Sequence, residues 1–133
     1  MVLACGTMRG MKSVVVPDDP AFVRFNIDSA REFRTASTQL AMSGQIGDPG
    51  LDMAGQLTGA LDAIEAVLTA AGYALADLAR ITIYTTDVDA FVASYPVIRS
   101  RFEPGTVPPH TLVPVPRLAR LGCVVEIDAH AAR

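Results

Sequence analysis

The sequence predicts an α+β fold of two layers, a mixed β-sheet with two helices on one of its faces, and three observations carry that prediction. Stretches that alternate apolar and polar residues with a period of two recur at intervals along the chain, the mark of strands with one buried face. One segment, Asp52 to Ala71, changes to the period of a helix, with Leu57, Leu61, Ile64 and Leu68 on one side and Thr58, Asp62, Glu65 and Thr69 on the other. The order strand, strand, helix, strand, helix, strand, strand then segregates the helices to one face of the sheet. A chain of 133 residues fits a single domain, residues 1–133, and can bury a core without metal or disulfide staples.

Each element has its own justification. Residues 1–10 read as a disordered extension ahead of the domain, with Met8 and Met11 as alternative starts. Ala21 to Ile27 and Gln39 to Ser43 are short apolar stretches flanked by turn residues, the second extended backward by Thr35-Ala36-Ser37; a hairpin through Asp28 to Arg34 joins them. Ser43-Gly44-Gln45-Ile46-Gly47-Asp48-Pro49-Gly50 is a loop by its glycines and proline, and without a following lysine it is no phosphate cradle. Asp52 caps the first helix and Gly72 ends it, while Gly59 in mid-helix costs propensity and calls for close packing. Leu78 to Thr86 is a strand with Ile81 and Ile83 on one face and Arg80, Thr82 and Tyr84 on the other; the strand-helix-strand order implies a parallel pairing of its flanking strands. Asp87 or Asp89 caps a turn around Phe91, and Ser94 caps a helix that holds Pro96 in its first turn, with Tyr95, Ile98 and Phe102 inward. Thr111 to Val115 contains Pro114, followed at the same parity by Pro116, so that strand edge is expected to be unpaired. Cys123 to Ala131 closes the chain, with Cys123, Val125, Ile127 and Ala129 toward the helices and Val124, Glu126, Asp128 and His130 away from them.

Composition narrows the function. Hydrophobic residues are 50% and charged residues 19% of the chain, more apolar surface than a monomer of this size covers, so oligomerisation is expected. A net charge of −3 with only 11 Lys and Arg argues against a nucleic-acid partner. No apolar run approaches the ~20 residues of a membrane span, and the short apolar start lacks the layout of a signal peptide. Cys5 and Cys123 lie near opposite ends without metal-ligand spacing, which reads as two reduced thiols in a soluble cytoplasmic protein.

Several runs stand in a characteristic order and spacing over residues 35 to 133: Ser43-Gly44-Gln45-Ile46; Gln56 with Leu61-Asp62 and Ala70-Ala71-Gly72; Thr82-Ile83-Tyr84 with Asp87 and Phe91; Pro108 through Val115 with Arg117-Leu118; and Val125-Glu126-Ile127-Asp128-Ala129. Together they resemble the RidA/YjgF (reactive intermediate deaminase) family. The resemblance implies a chorismate-mutase-like homotrimer with a small-molecule cleft at each subunit interface. It further implies hydrolysis of reactive enamines and imines, such as those derived from 2-aminoacrylate, to a keto acid and ammonia with no cofactor. The family's water-handling glutamate matches Glu126. Its carboxylate-gripping arginine and the serine after it fall on His110 and Thr111, and the N-terminal Gly-Pro-Tyr segment has no counterpart.

Two functions therefore stay open: an imine or enamine hydrolase altered at His110, or a non-catalytic metabolite-binding or regulatory trimer. Glu126 and His110 are the candidate catalytic residues, and Thr111, Ser43 and Gly44 the candidate substrate-binding residues. Guanidinium meets a carboxylate with a permanent charge and two parallel hydrogen bonds, whereas imidazole offers at most one and is largely neutral at pH 7 unless a carboxylate such as Glu126 raises its pKa. Arg31 and Arg34 are further cations whose position the sequence does not give. Each residue has a plainer reading: Glu126 as a solvated strand residue, His110 as a loop histidine, Gly44 and Gly47 as turn glycines. Asp128 and His130 share the face of Glu126, but ligands two apart on one strand are common by chance, and no metal is expected. An endoribonuclease role, a label sometimes attached to the family, fits the acidic chain poorly.

Overall fold

The computed structural model describes residues 38–133 throughout and, before them, residues 3–8, 11–15, 18 and 30–33. Strands β1 (Leu3–Met8), β2 (Met11–Val15) and β3 (Ala30–Phe33) form an antiparallel three-stranded sheet in that order. This corrects two expectations. Leu3–Met8 is a paired strand rather than part of an extension, because Met11-Lys12-Ser13-Val14-Val15 supplies a β-competent partner for its backbone groups. Ala30–Phe33 is likewise a strand rather than the bend of a hairpin; it contains no Gly or Pro to interrupt a ladder. The expected strand at 21–27 lies outside the described residues.

A second sheet holds β4 (Gln39–Gln45), β5 (Leu78–Thr85), β6 (His110–Pro114) and β7 (Val125–Ala132) in the order β4-β7-β5-β6. β4 and β5 run in the same direction, but they are not paired: β7 lies between them, antiparallel to both. The crossover through the helix leaves a gap one strand wide, and the last strand, apolar along its whole inner face, fills it. Among the described residues β6 pairs with β5 alone, in parallel. Pro109 O accepts from Ile81 N and Val115 N donates to Thr85 O, so alternate residues of β6 face β5 and Pro114 faces the open edge, where its missing N–H costs no ladder bond.

Helix α1 (Met53–Ala70) lies on this sheet. The Asp52 carboxylate accepts from Gly55 N at 2.9 Å, closing its start. At its end Gly72 takes φ +80°, and the Tyr73 and Gly72 N–H groups return to Leu68 O and Thr69 O, a Schellman closure that favours glycine at that position. Leu57, Leu61, Ile64 and Leu68 are buried against Ile81, Ile83, Val125 and Ile127 in one core, while Thr58, Asp62, Glu65 and Thr69 are exposed. A Cβ on Gly59 would lie 2.8 Å from the Gly47 Cα, which explains the mid-helix glycine: α1 rests directly on the loop after β4.

Asp87 caps α2 (Val88–Ser94) through Ala90 N, and α3 (Pro96–Arg99) begins with proline at its first position. Ser94 is not a cap, as expected from sequence, but the last residue of α2. Tyr95 stays helical, and its carbonyl still accepts from the N–H groups of Ile98 and Arg99, so the missing Pro96 N–H is absorbed without a new start. Phe91, Tyr95 and Ile98 are buried in the core, with Phe102 packed at its margin.

Gln56 links these layers. Its buried amide donates to Leu51 O and Gly122 O and accepts from Val124 N at 2.8 Å, tying the first turn of α1 to the segment that leads into β7. With all three bonds made, the start of β7, and so the placement of Glu126, is fixed from the helix layer.

Candidate functional site

The face of the sheet away from the helices collects the polar residues of its strands. In β7 Val125, Ile127, Ala129 and Ala131 are buried, so Glu126, Asp128 and His130 stand on the opposite side. Register places Tyr84 beside Glu126, Thr82 beside Asp128 and Arg80 beside His130, with Thr111 of β6 beyond Thr82. The Tyr84 hydroxyl donates to Asp128 Oδ2 at 3.3 Å. The Asp128 carboxylate, with some burial, that hydrogen bond and the Glu126 charge adding to it, pushes the Tyr84 phenol above its ordinary pKa. A phenol is neutral at pH 7 in any case, and the one O–H of Tyr84 goes to Asp128. Arg80 donates from Nη2 to Thr111 Oγ1 at 2.7 Å.

β4 brings Ser43 and Gly44 to the same side through a bulge. Met42 pairs with Ala129 and Gln45 with Ile127, so three steps on β4 meet two on β7, and Ser43 and Gly44 are exposed in succession. The Glu126 carboxylate lies over the Gly44 backbone, where a Cβ would come within 2.1 Å of Oε1. Only glycine leaves that space. Gly44 is thus set apart from Gly47, whose close approach is to the helix backbone at Gln56.

His110 lies elsewhere. It pairs with Ile81, which is 1% exposed on the helix side, so its ring turns away from the face of Glu126. The ring sits 5.8 Å from that of Tyr95, tilted by 32°. Nδ1 is 2.9 Å from the Pro108 carbonyl, which only accepts, so Nδ1 carries a proton; Nε2 is 3.4 Å from the Tyr95 hydroxyl. Burial lowers the His110 pKa, the Pro108 hydrogen bond opposes that, and the Arg80 charge adds to the lowering. No carboxylate is among the causes, so Glu126 does not charge this histidine.

Of the residues read from sequence, Glu126, Gly44 and Ser43 come together; Thr111 shares their face two strands away, held by Arg80; His110 is on the other face. Sequence reasoning left Arg80, Tyr84 and Tyr95 out of the site. Alternation with Ile81 and Ile83 already placed Arg80 and Tyr84 on the polar face, whereas the meeting of Tyr95 with His110 has no local mark. Arg31 and Arg34 cannot be placed: the side chain of Arg31 and all of Arg34 lie outside the described residues. Among the described residues no three His, Cys, Asp or Glu side chains are arranged to hold a metal, and no helix is long and apolar enough to cross a membrane. A surface cavity of ≈ 340 Å³ near Tyr95 is lined by Pro96, Arg99, Phe102, Glu103 and Val107, away from the polar face.

The described residues thus form an α+β sheet with a helix layer on one face and, on the other, the Glu126 carboxylate laid against the Gly44 backbone. Residues 27–133 match the family model described as Endoribonuclease L-PSP, and the chain belongs to this family, known from its solved members as YjgF or Rid. TdcF of Escherichia coli (strain K12), which carries a reactive intermediate deaminase name, is 29% identical over 99 residues, 73% of this chain and 76% of TdcF. The structure of E. coli TdcF with bound serine superposes with a TM-score of 0.67 at 28% identity, covering 75% of this chain and 84% of that one. Rv2704 of Mycobacterium tuberculosis, of the YjgF/YER057c/UK114 family, is 30% identical with a TM-score of 0.66 over 92% of this chain and 99% of its own. The Rid-family protein YyfB of Yersinia pestis shares the fold with a TM-score of 0.81 at 21% identity, over 93% and 99% of the two chains.

Proposed function

We propose that this chain is a single-domain, cytoplasmic, trimeric protein that binds a small molecule between subunits and hydrolyses reactive imines or enamines to a carbonyl compound and ammonia without a cofactor. The observation that carries the reading is the Glu126 carboxylate held against the bare Gly44 backbone on the open face. A carboxylate so placed takes a proton from water as the water oxygen bonds to the C=N carbon. The nitrogen, which takes the C=N electron pair, receives that proton back from the carboxyl group. The carbinolamine then passes its hydroxyl proton to nitrogen, which leaves as ammonia as C=O forms, and an enamine enters the same route after its N–H proton moves to the β-carbon. Tyr84, whose one O–H is donated to Asp128, stands next to that carboxylate on the same face.

His110 and Glu126 lie on opposite faces of one sheet, so a ligand touching both takes them from different copies. This supports a cleft between subunits. At the position where the family resemblance puts an arginine, His110 is neutral, so carboxylate-bearing imines are expected to be poor substrates. The same observation favours the second reading, a metabolite-binding trimer without turnover. The endoribonuclease activity in the family model's description is disfavoured by the net charge of −3, which repels a phosphate backbone.

Steady-state hydrolysis of the imine formed from 2-aminoacrylate, by wild type, Glu126→Ala and His110→Arg, tests the reading, with light scattering for the trimer. Weak wild-type turnover, lost in Glu126→Ala and raised in His110→Arg, is expected. Robust turnover untouched by Glu126→Ala, or a stable monomer at micromolar concentration, overturns it.

A further inference from the structure

The group at the start of β6 is built into the fold on both of its nitrogens. The Pro108 carbonyl requires hydrogen on His110 Nδ1, which in a neutral ring leaves Nε2 as an acceptor. A donor for it is the Tyr95 hydroxyl, 3.4 Å away on a residue 4% exposed at the junction of α2 and α3. Tyr95 is anchored in turn: its ring meets Phe91 edge-on at 6.1 Å, and it belongs to the core with Ile98 and Leu57. A ring so fixed keeps its hydroxyl oxygen beside the imidazole.

We propose that Tyr95 is the positioning residue for His110, holding the ring as the neutral Nδ1–H tautomer so that the β6 edge meets a ligand with an uncharged group and selects imines without a carboxylate. A hydrogen bond donated to Nε2 stabilises only the neutral ring, because protonation there replaces the acceptor with a donor facing a donor. The groups around the ring pull in two directions: burial and the Arg80 cation from β5 disfavour a charged ring, while the Pro108 carbonyl anchors Nδ1–H and favours it; Arg99 of α3 acts on the Tyr95 phenol. The inference rests on the proposed cleft for its ligand class, but its test does not require turnover.

The chain has two histidines, His110 and His130, so their ring nitrogens can be assigned by NMR in the intact protein. The Nδ1–H tautomer is expected for wild-type His110, titrating below the ordinary imidazole value. Tyr95→Phe keeps the ring in the core and removes only the hydroxyl; it should raise the His110 pKa by about half to one unit, the equivalent of one neutral hydrogen bond, and leave His130 where it was. In the hydrolysis assay near pH 6, the same variant should gain relative rate on the 2-aminoacrylate imine over its methyl ester. An Nε2–H tautomer in wild type overturns the proposal even if Tyr95→Phe does not fold, and so does an unchanged His110 pKa in a folded Tyr95→Phe. Absence of hydrolysis in every variant counts against the proposed function and leaves the tautomer to decide this one.

Discussion

The two faces of the four-stranded sheet use the same strands for opposite purposes. On the helix side Ile81, Ile83, Val125 and Ile127 are at most 1% exposed and pack on α1. On the other side Arg80, Thr82, Tyr84, Glu126, Asp128 and His130 are half-buried or exposed, and the hydrogen bonds in which they take part join side chains on different strands. One face holds the fold together by burial, and the other carries polar groups that contribute little apolar burial. Substitutions on the two faces should therefore separate stability from chemistry, and His110, a site candidate on the packed face, is where that separation is tested.

The largest effect is expected at Glu126. Glu126→Ala should lower imine hydrolysis by about 10²- to 10⁴-fold, the usual contribution of a general base, with a urea midpoint near that of wild type. A large loss of stability instead would show that the open face carries the fold as well. Next comes Ile127→Ala, the neighbour of Glu126 on the other side: truncating a fully buried isoleucine should cost about 2–5 kcal/mol in urea unfolding. A cost under about 1 kcal/mol would mean that the core is looser than its burial indicates.

Gly44→Ala sharpens the contrast on the polar face, because the atoms nearest its Cβ all belong to the Glu126 side chain, which must move. Hydrolysis should fall by about tenfold to a hundredfold at nearly unchanged stability. Gly47→Ala, which meets Gln56 backbone at 2.5 Å, should reverse that pattern and lower the melting temperature.

The smallest effect concerns pH. Burial lowers the proton affinity of His110 in the folded chain, so below about 6.5 the unfolded chain binds more protons there. The stability this histidine contributes is complete above that value and is lost as pH falls through the folded one. Urea unfolding at a series of pH values should show His110→Gln with the flatter dependence, the difference staying under about 1.4 kcal/mol per pH unit. Identical slopes would mean that His110 ionises as freely in the folded chain as in the unfolded one.

Much of the packed face was legible in the sequence because strand and helix periods are local. Leu57, Leu61, Ile64 and Leu68 recur at helical spacing, and the alternation through Ile81 and Ile83 and through Cys123 to Ala131 separates inside from outside before any partner is known. Asp52, Asp87 and Gly72 mark element ends through bonds that span only a few residues. Glu126 and Gly44 could be nominated from their runs, but that the carboxylate lies on the glycine depends on a bulge between β4 and β7, strands more than eighty residues apart.

By itself, then, the sequence determined the two-layer class, the helix stripe, the face of each residue on β5 and β7 and the unpaired edge at Pro114, all properties of neighbouring residues and their spacing. Tertiary structure alone decided that β7 lies between β4 and β5, that Leu3–Met8 and Ala30–Phe33 are strands, that Arg80 reaches Thr111, and that His110 turns toward Tyr95 rather than Glu126. Parity within β6 gives two faces without saying which one is covered. Only the pairing of His110 with Ile81 settles that, and strand pairing is a contact between distant segments that no local period encodes.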